Sequence, residues 1–132
     1  MIIRSMKKDK KLWVVGLFFL LTLNVFPKNL TTENDFFYRE MLFQWTENAT
    51  HESKAEVLDL FKGLPDKVEG FLEIKIIDLS MSSEGFDTLL ILKFSSREVE
   101  KIYTEHPDHK KIQEIAPPLV SKFGMFEYTS PK

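Results

Sequence analysis

Cysteine is absent from the chain. That excludes disulfide cross-links, a thiolate nucleophile, a cysteine-ligated metal and lipobox acylation. Histidine is scarce: His51, His106 and His109 are the only three in 132 residues. Positive charge is short over most of the length, since residues 29–132 carry 12 Lys/Arg against 19 Asp/Glu. Binding to a phosphate backbone needs clustered positive charge, so this balance argues against nucleic acid as a partner. The one long apolar run, residues 12–23 with Val25 and Phe26 beyond it, stops short of the ~20 residues a comfortable membrane span requires. No internal repeat or low-complexity segment occurs.

That run has a different meaning. Arg4, Lys7, Lys8, Lys10 and Lys11 precede it, and a basic flank before a short apolar stretch describes a secretory signal segment. Positive charge on the N-terminal side predicts that the following body is moved across the membrane. The protein is therefore expected to be exported, periplasmic or secreted. No small-x-small cleavage site follows the run, so residues 1–28 are expected to act as a signal peptide or an uncleaved anchor. In the second case residues 12–26 are the only membrane contact. Residues 29–36 are expected to be a linker.

What remains is one domain with a modest core. Apolar residues make up 43% and charged residues 29%, which excludes wholesale disorder. Twelve phenylalanines point to a core or interface built on large rings, with Phe37, Phe43, Trp45, Phe94, Phe123 and Phe126 as its expected members.

Residues 36–45 alternate, with Phe37, Arg39, Met41, Phe43 and Trp45 on one face and Tyr38, Glu40, Leu42 and Gln44 on the other. This is the pattern of a strand. Thr50 is placed to cap a helix whose stripe holds Ala55, Leu58 and Phe61, running to about Lys62 with Gly63 as its stop. Residues 64–70 are expected to be a connector. A second strand follows at 71–79, with Leu72, Ile74 and Ile76 on one face, then a turn at 80–85. Thr88–Phe94 is apolar on both faces, as expected of a strand covered on both sides. A partner subunit is the simplest cover for the second side. Ser95 and Glu98 fit a capping box opening another helix. Val99, Ile102, Tyr103 and His106 share its inward stripe, while Glu98, Glu100 and Glu105 are expected on its solvated side. Pro107 must end this helix and can start the next, whose inward residues are Ile112, Ile115, Ala116 and Leu119. A last strand is expected at 123–128. The order β-α-β-β-α-β predicts a ferredoxin-like α+β layer of helices on an antiparallel sheet.

The chemistry-bearing stretch runs from Tyr103 to His109. A neutral histidine can take a proton from an activated carbon or a phenol, and a tyrosine hydroxyl beside it can hold the oxyanion formed. The proline break between them allows both side chains to converge on one pocket between helices and sheet. The structural alternative has His106 capping the helix end and His109 packing at the turn. His106, Asp108 and His109 lack a further nearby ligand for a metal, so no metal is expected.

Met41-Leu42-Phe43-Gln44-Trp45 with Asn48-Ala49-Thr50, Gly85-Phe86-Asp87, His106-Pro107-Asp108-His109, Pro118-Leu119-Val120 and Phe126-Glu127-Tyr128 together resemble the stress-responsive dimeric α/β-barrel (Dabb) domain. The resemblance runs from about Arg39 to Tyr128, within a domain expected to span residues 37–130, and leaves out the N-terminal segment. It implies a ferredoxin-like subunit that pairs sheet to sheet into a dimeric α/β barrel, a homodimer; the ring-rich residues, for their part, are placed to line a pocket for a small apolar or aromatic ligand. One similar branch, the plant polyketide cyclases, works without a cofactor. The resemblance to that branch implies His109 as general base and Tyr103 as its helper. A second histidine of that branch falls at Thr88 here. The first-strand histidine of many members falls at Arg39, which with His106 is the further candidate for ligand contact. Three functions follow: a stress-related ligand-binding domain, a cofactor-free cyclase-like enzyme, and a non-catalytic dimerisation module.

Overall fold

The computed structural model describes residues 35–132, so the expected signal segment and nearly all of the expected linker lie outside the described residues. Eight elements follow in order: β1 (Asp35–Trp45), α1 (His51–Lys67), β2 (Phe71–Asp78), β3 (Thr88–Phe94), α2 (Arg97–Glu105), α3 (Pro107–Ile115), a 3-10 turn (Pro117–Leu119) and β4 (Val120–Pro131). Asp35 and Phe36, expected in the linker, already belong to β1. The strands form one antiparallel sheet in the order β2-β3-β1-β4, the ferredoxin-like α+β architecture the sequence predicts.

The helices lie on one face. Phe37, Met41, Phe43 and Trp45 of β1 and Leu90, Leu92 and Phe94 of β3 pack there against Val57, Phe61 and Leu64 of α1, Tyr103 of α2 and Ile112 of α3. Burying each large apolar side chain is worth roughly 1.5–3 kcal/mol, so this layer holds the fold. The alternation read in β1 and the limits of β3 stand as expected.

Several local expectations change. α1 does not stop at Gly63 but continues through Pro65 to Lys67. Leu64 and Val68 are buried in the core, and their packing outweighs the helix-breaking tendency of glycine and proline. The backbone turns instead at Gly70, whose φ of +88° is open to glycine without strain. Leu72 is half-exposed because the β2–β3 register shifts between Phe71 and Glu73. The bulge turns Phe71, not Leu72, into the core beside Ile74 and Ile76. Ser96, one residue after the predicted Ser95, caps α2 through the Val99 amide. On α2 the buried residues are Glu100 and Tyr103, while Ile102 is 59% exposed. β4 begins three residues earlier than expected and runs further. Its Phe123 and Phe126 are exposed, not core.

Candidate functional site

The helix layer does not cover β4. Phe123 and Met125, on its helix-side face opposite Phe43 and Met41, stay 54% and 49% exposed. A cleft of about 720 Å³ opens there. Its apolar wall includes Phe43, Phe61, Ile112, Val120 and Phe123; its polar residues are Arg39, Glu100, Thr104, His109 and Gln113.

The polar end is built by the corner between α2 and α3. His106 closes α2 with its amide bonded to the Tyr103 carbonyl and opens α3 as its N-cap, its Nδ1 accepting from the Asp108 amide at 3.1 Å. Pro107 stands at the first helical position, where its missing N–H costs nothing. One turn later His109 folds back so that its Nδ1 lies 2.9 Å from the Thr104 carbonyl. The last carbonyls of a helix lack intrahelical donors, and His109 supplies one. A carbonyl only accepts, so Nδ1 carries the proton and the neutral ring keeps Nε2 as its basic nitrogen. Burial, only partly offset by the Thr104 bond, holds the imidazole pKa below its ordinary value.

Arg39 enters from β1. Its Nε donates to Glu127 Oε1 at 2.9 Å, and its Nη2 reaches both Glu127 and Glu100. Glu100 in turn accepts from the Thr104 hydroxyl at 2.8 Å. Burial opposes the guanidinium charge, but the hydrogen bond it donates to Glu127 and the two carboxylates outweigh that and raise the Arg39 pKa.

Tyr103 is fully buried against Phe71, Phe94 and the His109 ring, whose centroid lies 4.5 Å away. Its hydroxyl has no hydrogen-bond partner among the described residues, and burial, more than the opposing Arg39 charge, pushes its pKa upward. Of the four residues singled out from the sequence, Arg39 and His109 meet at the cleft. Tyr103 sits behind its wall, and His106 is committed to the helix corner. Asp108 is held by Lys67, and among the described residues no cluster of His, Asp or Glu is arranged to hold a metal.

Glu100 is the residue that sequence reasoning missed. A charged pattern on one helix side suggested solvent, yet an arginine on the core-facing side of β1 already demands a buried carboxylate. Glu127 had the same signal, since it stands opposite Arg39 in the β1–β4 register.

Residues 37–130 match the family model described as the Stress responsive A/B Barrel Domain. No curated protein matches the chain. Among solved structures, a dimeric ferredoxin-like protein of unknown function from Thermobifida fusca is 18% identical with a TM-score of 0.65, covering 77% of this chain and 97% of its own. A Dabb family protein from Mesorhizobium loti is 15% identical, TM-score 0.62, covering 74% and 99%. The hydroxynitrile lyase of Passiflora edulis is 11% identical, TM-score 0.66, covering 74% and 94%. At these identities the likeness is one of fold.

Proposed function

Because the chain belongs to the stress responsive A/B barrel (Dabb) family, we propose that it acts as an exported homodimer whose protomers each bind a small apolar or aromatic molecule in the cleft. The cleft carries this reading. Its volume of about 720 Å³ falls within the ~300–1,000 Å³ usual for small-molecule sites, and apolar walls with a few convergent polar groups are their common form. The homodimer rests on the face of the sheet that no described helix covers. Leu42, Leu89, Ile91, Phe126 and Tyr128 lie there by register, and sheets of this kind pack face to face about 10 Å apart. Export rests on the basic flank and apolar run of residues 1–26, outside the described residues.

A cofactor-free enzyme is the second reading, favoured by one observation: the basic Nε2 of His109 on a residue lining the cleft. His109 would then be the general base. Tyr103 would orient its ring from behind and would not touch substrate.

The test is an NMR titration of the imidazoles with a panel of small phenolic and other aromatic compounds. One ligand class shifts the His109 signals, and His109→Ala abolishes the response. If no compound moves His109, ligand binding is lost as a function and the chain is better described as a dimerisation module.

A further inference from the structure

The polar end of the cleft is not electrically balanced. Among the described residues lining it, Arg39 is the only cation and is paired with Glu100; a second carboxylate, Glu127, is not itself a lining residue but shares that guanidinium. Burial favours the uncharged form of His109, so the cluster holds one surplus negative charge. It is also rich in acceptors. His109 is only 8% exposed, its Nδ1–H is spent on Thr104, and Nε2 has no partner among the described residues. An acceptor left open to a cleft can take a donor from whatever enters. Arg39, by contrast, already directs Nε and Nη2 at carboxylates.

The cleft is also polarised along its length. Arg39 stands at one end of the β1 face and Phe43 four residues on, about 13 Å away at strand spacing. Around Phe43 gather Phe61 and Phe123, with ring centroids 6.3 and 5.7 Å from it.

Resting on the reading of the cleft as a ligand site, we propose that its ligand class is the small amphiphilic amine: an ammonium head between Glu100 and His109, and an aromatic or alkyl body among Phe43, Phe61 and Phe123. The ammonium supplies the missing positive charge and a donor for Nε2. An anionic head would have to take Arg39 from one glutamate and then face both. The acidic body of the chain, 19 Asp/Glu against 12 Lys/Arg in residues 29–132, draws cations toward the same site.

Three probes with one skeleton test this by calorimetry on the full chain: 3-phenylpropylamine, 3-phenylpropan-1-ol and 3-phenylpropanoate. The amine binds at least ten-fold tighter than the carboxylate, with the alcohol between them. Glu127→Gln, at the sheet edge, narrows the amine advantage over the alcohol at least three-fold. If the alcohol binds but the carboxylate equals or exceeds the amine, the amine proposal is overturned while the cleft reading stands. An amine advantage that survives Glu127→Gln combined with Glu100→Gln overturns it as well. If none of the three binds, the cleft reading falls and the proposal falls with it. The wild-type comparison needs no variant, so a misfolded mutant leaves the test intact.

Discussion

The two faces of β1 treat polar groups differently. Toward the helices, Arg39 is the single charged residue between Phe37 and Trp45, and it is answered at once by Glu100 and Glu127. Toward the open side, Glu40 accepts from the Tyr128 hydroxyl at 2.7 Å, a bond that pushes the tyrosine pKa up to about 12. Tyr38 stacks on Tyr128 at 5.0 Å, and Lys93 covers the Phe36 ring. The closed face neutralises its charge inside the protomer. Among the described residues, the open face satisfies its polar groups within its own surface and no layer covers Leu42, Leu89 and Ile91. The first face is a finished core; the second is the face on which the proposed dimer rests.

The comparison breaks most severely at Arg39. Arg39→Met strands Glu100 in the closed face, and an orphaned buried charge costs about 3–5 kcal/mol. Urea denaturation measures the loss, and adding Glu100→Leu restores more than half of it. Ile91→Lys tests the open face, since Ile91 lies between Glu40 and Lys75 in the registers of β1 and β2. Sedimentation should show a dimer dissociation constant raised at least about a hundred-fold, about 3 kcal/mol, with the protomer's circular dichroism unchanged. Gly70→Ala acts at the closed-face corner. A Cβ there meets Val99 Cγ2 and Ser95 Oγ at 2.7 Å with φ at +88°, so thermal melting should register a loss of about 1–3 kcal/mol. Gly63 offers the contrast: it lies within α1 with nothing within 4 Å of an added Cβ, and Gly63→Ala should add about 0.5–1 kcal/mol.

The smallest effect is a pH slope from His109. Its folded pKa is lowered, chiefly by burial, so below the ordinary 6.5 the unfolded chain takes up a proton that the folded chain resists. The stability tied to neutral His109 is complete above that value. It declines as pH falls toward the folded pKa. Denaturation midpoints from pH 7.5 to 5 should show this slope in the wild type, and His109→Asn should flatten it.

Period-two alternation made β1 legible, because burial on one face is written into every second residue; β3 was legible as a short run apolar on both faces. The end of α1 was not legible. Gly63 and Pro65 signal a stop locally, while the contacts that overrule them involve Leu64 and Val68 packing on distant strands. The bulge that exposes Leu72 likewise depends on the partner strand. For the site, Pro107 correctly marked the helix corner and drew attention to His109. The buried ion cluster escaped because Glu100 and Arg39 are 61 residues apart, and helical charge patterns alone do not reveal which strand a side faces.

Trp45 lies on the closed face with its indole N–H bonded to Thr88 Oγ1 at 2.9 Å and its ring edge-on to Phe43. The chain has one other tryptophan, Trp13. A Trp13→Phe chain therefore carries a single tryptophan, fixed between the first and third strands and excited selectively at the red edge of the protein's absorption. Its emission colour reports whether that junction stays dry, and it reports nothing directly of the surface on the far side of the sheet.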